Sequence, residues 1–374
     1  MAMRTRRPPS ETPRDLAATP GLSATADRLD RLMTLEIRPL AGGLPPGIVV
    51  PTYVAARQVQ DGALSALAAR RLGEALAEGG TVLVATGAGV APKLPGGETD
   101  GPPGAAVLGL ALADGFGARC VLLAQGEHLP AVRASAAVFA DRLGAQPMEV
   151  AEFPKGEAEG REAARELVER HRPVAIVFVE RDGPNEAGHY HGVRGDRRPA
   201  GTVAHVHLLA EEARTRGVPT IGIGDGGNEI GFGLIRDAVS ALLPNGGRSQ
   251  PDETGVVTVT ATDVLLSASV SNWGCYAVAG ALSVIAGRNL LHAAHDEHAL
   301  IEACVGAGAR DGATGEARLA VDGIDADGHG AFVTLMRSVV DAALRFPAAE
   351  RQDSEAADRG LIEEIYRATA QGGV

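Results

Sequence analysis

Between residues 61 and 223, short apolar, β-branched runs alternate with helical stretches, and glycine stands at most of the junctions. TVLVATG, RCVLLAQ, PVAIVFVE and TIGIG read as buried strands, with a weaker one at MEVAEF. Helices are predicted over residues 61–78 and over GAAVLGLALADGFGA, PAVRASAAVFADRLGA, EAEGREAARELVERH and TVAHVHLLAEEARTRG. Parallel neighbours need a crossover of helical length, so this alternation predicts βαβ units. The expected fold is α/β, with a mostly parallel, doubly wound, Rossmann-like sheet.

VVTVTATD and VLLSAS supply two further strand candidates ahead of a long helix over residues 272–286. An N-terminal helical extension is predicted at LSATADRLDRLMTLEI, where Leu29, Leu32, Met33 and Ile37 recur at helical spacing until RPLAGGLPPG breaks the pattern. The C-terminal region reads as helical, interrupted by the turn-rich GARDGATGEARLAVDGIDADG. With no clear linker, residues 21–374 are expected to form a single large α/β domain behind a disordered basic tail at 1–20. Aromatics are 3 % of the chain, so the core must be aliphatic and rich in alanine.

The net charge is -12, and the first fourteen residues carry four arginines against one glutamate, which leaves -15 for the rest. So acidic a body argues against nucleic acid, whose affinity comes from neutralised phosphates. No run of eighteen or more apolar residues is present, so no membrane partner is expected. The basic start lacks the apolar stretch of a secretory signal, and its prolines oppose the amphipathic helix of a transit peptide. Cys120, Cys275 and Cys304 stand in no metal-ligand spacing and fit a reducing compartment, so a cytoplasmic location is expected. Only Lys93 and Lys155 could carry pyridoxal phosphate, and GAGVAPK lacks the spacing of a P-loop, so neither that cofactor nor a nucleotide is expected. A homo-oligomer is compatible with the sequence.

Parallel sheets bind ligands at the carboxyl ends of their strands. Three loops at such ends are rich in functional groups. The first, TGAGVAPKLPGGETDGPPGAA, holds Glu98, Thr99 and Asp100 ahead of Pro102 and Pro103 at a helix start. The second, ERDGPNEAGHYHGVRGD, holds Arg181, suited to a bidentate grip on a carboxylate, with Asn185 and Tyr190. The third, GDGGNEIGFG, places Asp225, Asn228 and Glu229 among glycines. Capping would account for one polar residue there, not three within five. In that loop Asn228 and Glu229 are expected near the first turn of a helix, where Gly226 and Gly227 would offer backbone N–H groups to an anion. Carboxylates at the same place would instead hold a divalent cation, Mg or Mn, with Asp225, Glu229 and Asp100 as candidate ligands. HYH at 189–191 and HVH at 205–207 have the spacing of a metal pair on an extended segment, but read more readily as surface or hydrogen-bonded histidines. In SASVSNWGCYAVAGAL, Ser271 or Asn272 can cap the following helix, and Trp273 is open to two readings, core or pocket wall.

GETDGPPGA, ERDGPNEAGHY, IGIGDGGNEIGFG and SNWG, in this order, resemble the family named for the C-terminal domain of D-glutamate cyclase, over about residues 56–287. That resemblance implies a hydro-lyase closing D-glutamate to 5-oxo-D-proline with loss of water. In the eukaryotic enzyme the corresponding domain follows another hydro-lyase-like one, of which this sequence shows no sign, and which of the two carries catalysis stays open. On this reading Asp225, Glu229 and Asn228 are the catalytic candidates. Glu98, Thr99, Asp100, Arg181, Asn185, Tyr190, Gly226, Gly227, Ser271, Asn272 and Trp273 would surround a small amino-acid or carboxylate substrate.

Two other classes stay in view. GDGGNE also resembles the GDGxND segment of haloacid-dehalogenase-type phosphatases, but the strand ending VLVATGAG lacks the nucleophilic Asp that such an enzyme needs. A non-catalytic amino-acid sensor or subunit would use the same pocket without turnover.

Overall fold

The computed structural model describes residues 19, 21–38, 44–144, 147–243 and 255–346; the expected basic tail lies outside them apart from Thr19. In chain order the elements are α1 (Leu22–Met33), α2 (Val49–Gln60), α3 (Leu64–Ala75), β1 (Thr81–Thr86), α4 (Pro102–Phe116), β2 (Arg119–Ala124), α5 (Leu129–Ala137), α6 (Ala140–Leu143), β3 (Glu149–Glu152) and α7 (Glu157–His171). They continue with β4 (Ala175–Val179), α8 (His207–Arg216), β5 (Thr220–Gly224), α9 (Arg236–Leu242), β6 (Val264–Ser267), α10 (Ser271–Ala286), α11 (Ala294–Gly306), β7 (Ala320–Val321), β8 (Ile324–Asp325) and α12 (Ala326–Arg345).

The six-stranded sheet is parallel throughout, in the order β3-β2-β1-β4-β5-β6. The chain therefore winds outward twice from β1, and its direction reverses between β1 and β4. Loops leaving those two strands must splay apart, which opens a crevice at their carboxyl ends. Strand residues alternate between two cores. Val82, Val84, Val177 and Val179 face one with α4 and α10, while Leu83, Ala85, Ile176 and Phe178 face the other with α7 and α8. Two glycines in β5 break this pattern. A Cβ on Gly222 would run into the Ile230 carbonyl, and one on Gly224 would lie 2.9 Å from Glu229 Cβ, so the bare strand lets residues 229–231 lie flat on the sheet.

The N-terminal extension is bound to this body through Asp30. Its buried carboxylate accepts from Tyr53 Oη at 2.7 Å and from the first amides of α3, Leu64 N at 2.7 Å and Ser65 N at 3.2 Å. The Ser269 amide donates to Met33 O at 2.7 Å, which delivers the end of α1 to the carboxyl edge of the sheet.

Several expected boundaries shift. The helix expected over 61–78 spans only Leu64–Ala75 and is preceded by a separate α2, because Asp61 turns the chain at a positive φ of 56°. The helix expected from TVAHVH begins only at His207, and that of the N-terminal extension ends at Met33. VVTVTATD forms no strand. Its amides and carbonyls tie down the loops after β4 and β5 instead, through Val259 N to Pro184 O, Thr258 N to Gly227 O and Gly231 N to Thr260 O. Among the described residues, no helix is long and apolar enough to cross a membrane.

Candidate functional site

At the crevice, α4 and α10 meet head to head. Asp100 accepts from the Ser271 and Asn272 amides, each at 2.8 Å, and so caps α10. Asn272 Oδ1 accepts from Gly101 N at 2.9 Å and Gly104 N at 2.7 Å, and so caps α4. A Cβ on Gly104 would sit 2.8 Å from the Asn272 Cα, which is why the second cap needs a glycine. Neither helix start is left to bind an anion.

The loop after β4 sends alternate residues to opposite sides. Glu180, held at a positive φ of 49°, and Asp182 face a cavity of about 310 Å³. Glu180 accepts from Ser271 Oγ at 2.5 Å. Arg181, between them, is buried on the other side, where its guanidinium donates to the carbonyls of Gly87 and, at 3.3 Å, Ala204. It staples the β1 loop to the chain ahead of α8 and does not reach the cavity, contrary to its expected role as a carboxylate anchor.

The GDGGNE loop turns back on itself without forming a helix; the next helical turns begin at Gly233 and Arg236. Glu229 therefore takes the loop's own amides, Gly226 N at 2.9 Å and Gly227 N at 2.7 Å, with Asp225 N at 3.4 Å. The backbone groups expected to meet a substrate anion are spent on this internal carboxylate. Asn228 Nδ2 donates to Asp182 Oδ1 at 2.9 Å and His191 O at 3.1 Å. Its Oδ1 has no partner although the residue is 4 % exposed and lines the cavity. A Cβ on Gly226 would lie 2.8 Å from that oxygen and 3.0 Å from Glu229 Oε1, so both oxygens turn toward the same space.

Two further segments complete the wall. Arg38, beyond α1, forms ion pairs with Asp225 and, at 3.2 Å, with Asp322. Asp322 sits at a positive φ of 52° in the β7–β8 hairpin, which Thr99 holds through its Oγ1 bond to Ala320 O at 2.7 Å. Glu98, Arg194 and Arg198 also line the cavity. Carboxylate oxygens of Asp100, Asp225 and Asp322 approach within 4.8 Å of one another, as do those of Glu180, Asp225 and Glu229. Neither trio includes a histidine.

Crowding so many acids in a poorly hydrated space disfavours their charged forms. Burial above all pushes Asp225 up to about 7, with Arg38 pulling it down and Glu229 adding to the rise. Asp322 likewise reaches about 7, through burial first and Asp225 second, against the pull of Arg38. Glu98, Asp100 and Glu180 rise well above the ordinary carboxylate range, by burial first and neighbouring carboxylates second. Glu229 rises less freely, because burial is opposed by its backbone donors.

Three expected contacts lie elsewhere. Asn185 folds its own turn, accepting from Ala187 N at 3.0 Å and His189 N at 2.9 Å, and Tyr190 Oη pairs with His207 Nδ1 at 2.7 Å; both line a separate, more open groove. Trp273 is core. Its ring stacks on Phe332 at 3.8 Å and its Nε1 donates to His329 Nδ1 at 3.0 Å. Conversely, Arg38, Asp322, Arg194 and Arg198 are not among the candidates that the sequence offers, and Glu180 and Asp182 stand in its second loop without an assigned role. Asp322 had one available signal, an aspartate between valine and glycine at a turn.

The fold and site together define a doubly wound α/β protein with a carboxylate-walled pocket at its switch point. The sequence pattern of the family described as "D-glutamate cyclase-like, C-terminal" matches residues 54–337, and the chain belongs to that family. The match runs past residue 287 and takes in the hairpin that carries Asp322, so the family portion extends to residue 337. Human mitochondrial D-glutamate cyclase is 31 % identical over 112 residues, which are 29 % of this chain and 17 % of the human protein.

Proposed function

We propose that the chain is a hydro-lyase of the D-glutamate cyclase type, converting D-glutamate to 5-oxo-D-proline and water. The observation that carries this reading is Asp225, a nearly buried carboxyl raised to about 7, beside a cavity that also presents arginines. The reaction joins the α-amine to the γ-carboxyl carbon and expels one carboxylate oxygen. The ammonium group loses two protons overall, and the departing oxygen leaves with two, as water. A group titrating near neutrality suits both transfers. Asp225 would take the first proton, and the same carboxyl, now protonated, would return it to the leaving oxygen.

The substrate's two carboxylates need cationic partners, and Arg194 and Arg198 fit that role in place of Arg181. Because amine and γ-carboxyl already belong to one molecule, no bimolecular encounter is saved; holding them in contact freezes the few rotors of the glutamate chain in the attacking geometry. In an alternative arrangement, with Asp225 as a ligand and not as the base, the oxygen-only donor set fits a divalent cation such as Mg or Mn, held by Asp225, Glu229 and Glu180 or by Asp100, Asp225 and Asp322, with Asn228 Oδ1 as a neutral donor. Such an ion would polarise the γ-carboxylate toward attack.

A phosphatase reading is not favoured, because β1 runs out in Thr86 and Gly87 with no nucleophilic carboxylate. The deciding experiment incubates purified protein with D- and L-glutamate, with and without Mg2+ or Mn2+, and follows 5-oxoproline by mass spectrometry. Product from D-glutamate supports the reading. Saturable glutamate binding without product would replace it with that of a sensor or subunit.

A further inference from the structure

Arg38 occupies the place where a cation would sit. Its guanidinium bridges Asp225 and Asp322, two of the three acids whose oxygens approach within 4.8 Å, and Asp100 adds to the field around it. A guanidinium keeps its charge at any accessible pH, so in this state the trio is balanced by a cation from the chain itself. Asp225 also belongs to the second trio, with Glu180 and Glu229, and on that side the unpartnered Asn228 Oδ1 offers a buried acceptor that only a cation or a proton donor can satisfy. A divalent ion at either trio has to share Asp225 with Arg38 or take it.

The segment that delivers Arg38 is held by hydrogen bonds at Thr34 and Glu36 and by little apolar burial. Thr34 ends α1 by bonding back to Asp30 O at 2.9 Å, and Glu36 accepts from Gly47 N at 2.6 Å and Val49 N at 2.8 Å. Leu35 and Ile37, by contrast, are 42 % and 48 % exposed, so little apolar burial fixes the strap over the cavity. An ion pair removed from water gains little net free energy, because desolvation offsets attraction. A doubly charged ion with several oxygen ligands can outcompete it.

We propose that Arg38 is a tethered, displaceable counter-cation: it and a divalent ion compete for Asp225, and ion binding lifts the strap 34–38 from the cavity mouth. The inference rests on reading the cavity as a cation site and not on the identity of the substrate.

The test is Mn2+ binding, followed by the loss of the free-ion spin signal, to the wild-type chain and to Arg38→Ala and Arg38→Lys. Arg38→Ala should bind Mn2+ about tenfold or more tightly than wild type, with Arg38→Lys in between. Equal or weaker binding by Arg38→Ala would overturn the proposal. A second measurement leaves Arg38 in place and so survives any misfolding of the variants. A nitroxide on Ile37→Cys, labelled selectively because Cys120, Cys275 and Cys304 are buried, should gain mobility on adding Mg2+. An unchanged spectrum at saturating Mg2+ would also overturn it. Absence of 5-oxoproline in the turnover assay would remove the proposed reaction and leave this competition standing.

Discussion

Asp100 and Asn272 cap each other's helices: the aspartate takes the first amides of α10, and the asparagine takes those of α4. The arrangement sets the Asp100 carboxylate within 4.8 Å of those of Asp225 and Asp322 while leaving no helix amide unpaired there. Replacing Asn272 with Ala strands the Gly101 and Gly104 amides in a buried place and loses the Nδ2 bond to Thr99 O. The variant should be less stable by about 2 kcal/mol or more, read from urea unfolding midpoints.

The same reasoning separates Asp225 from Glu229. Asp225→Asn keeps shape and removes the titrating group, so turnover should disappear while the melting temperature holds or rises, since one of several crowded acids is gone. Glu229→Gln places an amide donor against the Gly226 and Gly227 N–H groups, so it should lose both turnover and stability. Full activity in both variants would remove these residues from the mechanism.

Stability should depend on pH in the reverse of the ordinary acid-denaturation sense. Asp225 and Asp322 are raised to about 7 in the folded chain, well above their unfolded value near 3.9. Between those values the folded state binds more protons than the unfolded one, so the stability they contribute is complete below about 4 and is lost as pH climbs through about 7. Without divalent ions the melting temperature should therefore fall over that window, and Asp225→Asn should flatten the slope. A melting temperature rising from pH 5 to pH 7 in the wild type, and equally in Asp225→Asn, would contradict the assignment.

Asp322→Asn tests whether the C-terminal hairpin belongs to the site. It removes one partner of Arg38 and one oxygen of the first trio while leaving the Thr99 bond to Ala320 O in place. Catalytic efficiency should drop by roughly tenfold to a hundredfold, the range seen when groups supporting a metal or charge site are removed. Far-ultraviolet circular dichroism should not change.

Arg181→Met should act on the fold and not on substrate affinity. It deletes two bonds from a fully buried guanidinium to the Gly87 and Ala204 carbonyls, at a cost of about 2–4 kcal/mol. If the proposed reaction holds, the folded fraction should retain its KM for glutamate. A large rise in KM without loss of stability would restore Arg181 to the ligand.

How much of this could be read beforehand divides by the range of the interactions involved. The parallel sheet was legible because strand and helix periods are local, whereas TIGIG read only as a buried strand and gave no sign that residues 229–231 lie against its glycines. Asp225, Glu229, Asn228 and Asp100 stood out because several polar residues crowd into short stretches after strand ends, although Asp100 also caps α10 and Glu229 also ties down its own loop. Arg181 misled because sequence supplies a side-chain type and not its direction; the flip between 180, 181 and 182 is set by the turn after β4. Arg38 and Asp322 were missed for a different reason. Their partners lie 187 and 284 residues away for Arg38, with no periodicity connecting them.

The cavity wall draws on stretches from Arg38 near one end of the described chain to Asp322 near the other. During synthesis, the polypeptide must be made and released at least as far as the β7–β8 hairpin before these acids meet their full set of neighbours. A product cut short ahead of the hairpin would have its sheet strands encoded and its pocket unfinished.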